Sequence, residues 1–170
     1  EELLTPTAFI QSTHNTIGGA IALSLNNHSY NLTYVHRIFS FESALLDSMI
    51  MINENKAENV LVGGFDEITL ESWSIKTKIG HYKRIPIDVD NILNRDEPGA
   101  IAGEGSAFFS LSAKKTDTTY ASIIDTDFML NPNSHNNIGA FIRGFLKRNN
   151  FAATDIDLVL LGRNGDSKYD

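Results

Sequence analysis

An α/β fold is the class this sequence predicts, and three observations predict it. Between Asn31 and Glu67 an alternating run, an amphipathic stretch and a short apolar run follow one another, the order of a βαβ unit. Two strand-like runs come later, Ala107 to Ser112 and Ala121 to Phe128, with a polar turn at Lys114 to Thr118 between them. Asn137 to Asn149 is amphipathic with a helical period, and it leads into a further strand-like run, Asp155 to Leu161.

In chain order, Pro6 holds Thr5 extended. Ser12 or Thr13 could then cap a helix burying Ile17, Ala20, Ile21 and Leu25 on one stripe. Gly18-Gly19 inside that helix costs about 1 kcal/mol per residue against alanine, so the pair points to close packing of another backbone. Leu32, Tyr34 and His36 alternate with Asn31, Thr33 and Val35, a strand pattern. After a sharp turn, Phe41, Ala44, Leu45, Met49 and Ile52 have the spacing of a helix with one buried face, with Ser40, Glu42 and Ser43 as capping chemistry and Lys56 to Glu58 as its end. Val60-Leu61-Val62 is expected to be a strand buried on both faces and stopped by Gly63-Gly64, and a right-handed crossover between parallel strands would close the unit.

Phe65 to Ile79 is expected to be helical in part, and His81 to Asn94, which contains Pro86, to be a loop. Lys76, Lys78, Lys83 and Arg84 make this the most basic piece of the chain, either a solvated face or a docking surface for an acidic partner. Arg95 to Ala107 is a glycine-rich loop, and the strands at 107–112 and 121–128 should pair as an antiparallel hairpin. Ile138, Phe141, Ile142, Phe145 and Leu146 form the apolar face of the helix at 137–149, opposite Arg143, Lys147 and Arg148.

The 170 residues are 42% hydrophobic with a formal charge of −7, enough to bury a core and too acidic for a nucleic-acid partner. No apolar run reaches the roughly 20 residues of a membrane span, and no signal-peptide pattern stands at the start, so a soluble protein is expected, with the cytoplasm as the base-rate compartment for a chain without cysteine. With no cysteine there is no disulfide framework and no thiolate metal site. The five histidines, His14, His28, His36, His81 and His135, lack ligand spacing, so neither a metal nor a cofactor is expected. Ser40 and Ser43 could be nucleophiles only beside a general base; His36 is the one histidine near them, and helix capping is the plainer role for that group.

The turn after His36 has the form of a strand-to-helix elbow, which aims helix amides and one side chain at a substrate. Here the chain resembles the β-ketoacyl-acyl carrier protein synthases, of thiolase-like fold, whose elbow has T-A-C-x-S-G and whose next strand ends on Gly-Gly. RDEPGAIAGEGSA, from Arg95 to Ala107, is similar to the family's R-D-G-F-V-x-G-E-G-A-G, aligning Gly103, Glu104 and Gly105 with an insertion at Glu97-Pro98. In the helix before the elbow, Asn15 and Gly18 or Gly19 match recurrent family positions. PTAFIQSTHN with VHRIFSFESALLD resembles the divergent ketosynthase-like proteins of aryl-polyene and flexirubin-type clusters.

Counting back from Gly63-Gly64 puts the nucleophile position on Ile38, with Ser40 on the motif serine and Phe41 on its glycine. Counting forward from Asn27-His28 puts it on His36. VLLGRNGDSKYD resembles the family's V-N-A-H-G-T-S-T with Gly162 at the histidine. The resemblance therefore implies a degenerate elbow of His36, Ile38, Phe39 and Ser40 and no confirmed catalytic residue. It also implies substrate contacts from Ile38, Phe39, Phe41, Gly103, Glu104 and Gly105, the first three lining a short or plugged apolar tunnel. The fold implied is a partial copy of a duplicated αβαβα architecture with mixed sheets and covering helices. One domain over 1–170 is expected, a fragment of a longer protein, with an elbow half at about 1–107 and a second half from about 108 to 170. The partners implied are an acyl carrier protein and either an active ketosynthase, as for a chain-length-factor subunit, or a second copy paired through 31–36. The alternatives are a non-catalytic acyl-binding or assembly module and an acyltransferase using His36 or Ser40.

Overall fold

The computed structural model describes residues 6–36, 38–84, 97–130 and 135–168. In order the elements are α1 (Pro6–Gln11), α2 (Thr16–Ser24), α3 (Ser40–Asn53), β1 (Asn59–Asp66), α4 (Leu70–Lys78), β2 (Gly105–Ser112) and α5 (His135–Arg148), followed by a 3₁₀ turn at Ala153–Asp155. β1 and β2 form a two-stranded sheet. The chain divides into one compact unit of Glu1–Gly64 with Ala107–Thr116 and a second of Phe65–Ser106 with Asp117–Asp170.

In the first unit the helix expected after Ser12 or Thr13 is present as α2, and a short helix that the sequence did not suggest, α1, precedes it across a turn. Ser12 and Thr13 do not cap α2. Their hydroxyls donate to the Phe9 and Ile10 carbonyls at 2.7 and 2.9 Å and so finish α1. The expected stripe is not buried either, since Ile17 is 42% and Leu25 65% exposed. Gly18 does mark a close approach: an added Cβ would lie 3.0 Å from Asn31 Oδ1, and the Asn31 amide nitrogen donates to the Gly18 carbonyl at 2.8 Å. Gly19 has open space beside it.

The expected strand at Asn31–His36 has no ladder, and the parallel βαβ unit is therefore not formed. Side-chain bonds place that segment instead, from Asn31 to α2 and from the Tyr30 hydroxyl to Asp47 on α3 at 3.1 Å. β1 pairs with β2, which follows it by some forty residues, and runs through Gly63-Gly64 rather than stopping there. Nor is β1 buried on both faces, since Val62 is 4% exposed and its neighbour Leu61 56%.

Four of the helices end in the same way, with a left-handed residue that lets the chain turn back on the last carbonyls. Asn26, Asn55, Gly80 and Asn150 hold positive φ after α2, α3, α4 and α5. The following amides of Asn27, Lys56, His81 and Phe151 reach back to the Ala22, Met51, Lys76 and Leu146 carbonyls at 2.8 to 2.9 Å. This is the Schellman arrangement, which tolerates asparagine because its short polar side chain suffers least in the left-handed region.

In the second unit Thr69 caps α4, its hydroxyl accepting from the Ser72 amide at 3.2 Å. Glu71 in the first turn and Lys76 and Lys78 in the last suit the helix dipole. The strands expected at 121–128 and 155–161 are absent, so the hairpin with 107–112 is not made, and 158–161 leaves Leu158 73% and Leu160 86% exposed. Each of these runs has strand-like side chains, but no ladder partner reaches it, and side-chain pattern alone does not make a strand. Segment 125–127 is held by α5 instead: Arg148 donates to Asp125 and Asp127, both at 2.8 Å, and Asn149 Nδ2 to Asp125 at 2.8 Å. Asn149 first and Arg148 second hold the Asp125 carboxyl below its ordinary range, and Arg148 does the same for Asp127. Most of the loop expected at 81–94 lies outside the described residues.

Candidate functional site

The elbow between the extended segment 30–36 and α3 is built from its own side chains. Ser40 Oγ donates to the His36 carbonyl at 2.5 Å and accepts from the His36 amide at 2.8 Å, closing the turn from both sides. Ser40 is thus the first residue of α3 rather than its cap, a position Phe39 takes with φ −118° and ψ 41°. Inside the turn, His36 Nδ1 accepts from the amides of Ile38 at 3.3 Å and Phe39 at 3.0 Å. The imidazole stacks on the Phe39 ring, centroids 5.8 Å apart and planes 16° apart. An Nδ1 that accepts twice carries no proton, so the neutral ring is the Nε2–H tautomer.

This geometry has two chemical consequences. Amides ahead of a helix are the groups an elbow offers to a developing oxyanion, and here two of them are turned onto the protein's own imidazole. Ser40 Oγ touches main chain and not His36's ring, so it lacks the base contact that activates a hydroxyl. Ile38 is 55% and Phe41 37% exposed, and the Phe41 ring lies 6.5 Å from that of Phe109 on β2.

The remaining residues singled out from sequence belong to the second unit. Glu104 Oε2 accepts from the Ile68 amide at 3.0 Å and so ties the start of α4 to the loop before β2. Gly103, Gly105 and Gly162 have nothing within 4 Å of an added Cβ, and Gly162 lies in a segment without regular structure. Sequence reasoning placed Lys83 in a basic run without showing that it is buried, and it did not single out Asp166; the two are 7% and 9% exposed. A lysine in a basic run looks like solvated surface, and only the main-chain pairing around it shows otherwise. No set of three His, Asp or Glu residues converges as a metal site among the described residues, and no helix there is long and apolar enough to cross a membrane.

An extended segment turned sharply into a helix that packs on a β pair, followed by a Gly-Glu-Gly loop entering the second strand, makes a mixed α/β arrangement. The family model of the beta-ketoacyl synthase N-terminal domain matches residues 1–127. The chain belongs to that family, whose fold is thiolase-like. No curated protein and no solved structure matches the chain.

Proposed function

We propose that the chain is a β-ketoacyl-acyl carrier protein synthase-like subunit of fatty-acid or polyketide type that does not itself condense acyl groups. Its role is that of a chain-length factor, pairing with a cysteine-bearing ketosynthase, in a pathway of the aryl-polyene or flexirubin kind. The observation that carries this reading is the elbow: the chain has no cysteine, and the amides of Ile38 and Phe39 are engaged by His36 Nδ1. In this reading Ile38, Phe39 and Phe41 line a short acyl tunnel, Gly103, Glu104 and Gly105 contribute substrate contacts, and Gly162 stands where a catalytic histidine is missing. A carrier protein delivers the acyl chain, in the cytoplasm. The lack of a base on Ser40 argues against an acyltransferase that uses this serine.

Co-expression of the tagged chain with a cysteine-bearing ketosynthase from the same gene neighbourhood tests the reading. The expected result is stoichiometric co-purification, with extended product only when both proteins are present. A chain that never co-purifies, and leaves the synthase's product length unchanged, would point to the assembly-module alternative.

A further inference from the structure

We propose that the pocket beside the end of α4 binds a phosphate group, with Lys83 as its buried cation. Three backbone segments of the second unit meet there. Tyr82 and Ala100 form a parallel bridge, the Lys83 amide donates to the Ala100 carbonyl at 3.0 Å, and the Ala100 amide to the His81 carbonyl at 2.8 Å. The Ile101 amide then donates to the Asn164 carbonyl at 2.8 Å. Gly99, at φ +95°, lets the second segment come this close, since a Cβ would sit 3.0 Å from the Tyr82 carbonyl carbon.

The pairing fixes Lys83 with its side chain turned inward. Nζ donates to the Glu97 carbonyl at 2.5 Å, and no carboxylate among the described residues lies within ion-pair distance of it. An ammonium has three donors, and a neutral carbonyl uses one without balancing the charge, an expensive arrangement for a group 7% exposed. The pocket is about 330 Å³, lined by Gly80, Tyr82, Lys83, Arg84, Glu97 and Pro98. That is within the size range of small-ligand sites. Arg84 adds a second positive charge at its wall, held there by bonds to the Thr77 and Lys78 carbonyls at 3.1 and 2.7 Å. Lys76 adds a third nearby, its ammonium 3.1 Å from the Tyr82 hydroxyl. Among the described residues, the acidic groups of this region are the Glu97 carboxylate on the wall and Asp166, whose Oδ1 accepts from the Lys168 amide at 3.0 Å.

The choice of phosphate over carboxylate follows from the donors. Arg84 has spent Nε and one Nη2 proton on the end of α4, which leaves its Nη1 protons on the same pocket wall. Together with the two unused protons of the Lys83 ammonium, these are donors from two side chains around one pocket, an arrangement that suits the several oxygens and higher charge of a phosphate.

The test uses the whole chain at fixed ionic strength. Titration with inorganic phosphate, followed by NMR of the Tyr82–Arg84 and Ala100 amides, should saturate, while acetate and chloride at equal ionic strength should not. Lys83→Met should weaken phosphate binding at least tenfold, and Lys114→Met should leave it unchanged. Acylation of Lys83 in the unaltered chain, read by mass spectrometry, guards against a variant that fails to fold. Phosphate should slow acylation at Lys83 and leave that at Lys114 unchanged. Glycerol phosphate binding more tightly than inorganic phosphate would make the ligand a phosphate ester; the reverse order would make it the free anion. Equal binding by Lys83→Met, or no protection of Lys83, would overturn the proposal.

Discussion

A β-carbon at Gly63 would meet the Phe108 ring and lie 2.5 Å from the Ala107 carbonyl oxygen, so β1 and β2 can approach as they do only with glycine there. Gly63→Ala should therefore destabilise the first unit by about 1–3 kcal/mol, the usual cost of forcing a side chain into packed space. Gly103→Ala, with nothing within 4 Å, should cost a small fraction of that. Urea denaturation of both variants checks the pair, and equal midpoints would show that the sheet has room to shift. The glycine pair was legible in the sequence as a special place, but its reason was not. The Gly-Gly signal suggested a strand's end; the actual cause is an aromatic ring forty-five positions away, which no local pattern can encode. His36 is a similar case. Its place near the elbow was visible, whereas its acceptance of two amides depends on a ring orientation set by stacking on Phe39.

At the scale of elements, the longer helices were legible and most strands were not. α3, α4 and α5 carry a period and charges that act within a few residues, which is the range over which a helix makes its bonds. The runs at 31–36, 121–128 and 155–161 have the side chains of strands, but a strand exists only through a partner, and the partner's whereabouts is not a local property. Segment 30–36 is instead fixed to α2 and α3 by polar side chains, and this makes a pH prediction. Tyr34 is pushed up to about 12, first by burial, then by its hydrogen bond with Tyr30 and the charge of Asp47. A phenol whose folded pKa exceeds its unfolded value binds its proton more tightly when folded. Its contribution to stability is therefore complete below about pH 10 and lost as pH rises through about 12. Alkaline unfolding should set in across that window, with tyrosinate absorbance appearing together with loss of helical circular dichroism. Tyr34→Phe should flatten the dependence, and an unchanged slope would place the effect on other groups.

At the scale of the whole molecule, two separated motifs carried the family, the segment around the elbow and the loop at 95–107, and the match over residues 1–127 includes both. The core was not legible, because Val62 is the one buried hydrophobic side chain among the described residues, and apolar composition does not say which faces find cover. The proposed lack of condensing activity is tested at the same elbow. Restoring a thiol, as Ile38→Cys or His36→Cys, should yield a protein that acylates itself from an acyl donor and makes no extended product. A cysteine just ahead of α3 has the helix-terminal setting that favours a thiolate, so the first transfer is within reach. Extension requires more, because decarboxylation of the extender builds charge on an enolate oxygen, and loss of one donor to such an oxygen costs roughly 10²–10³ in rate. Gly162, where the resemblance puts a histidine, has no side chain to donate. In Ile38→Cys the amides of residues 38 and 39 also remain on His36 Nδ1. His36→Cys frees those amides and so separates the two defects. Self-acylation that rises in His36→Cys relative to Ile38→Cys, with extension absent from both, is the expected outcome on incubation with acyl donor and malonyl-carrier protein. Extended product from either variant alone would mean that the elbow was the only thing missing.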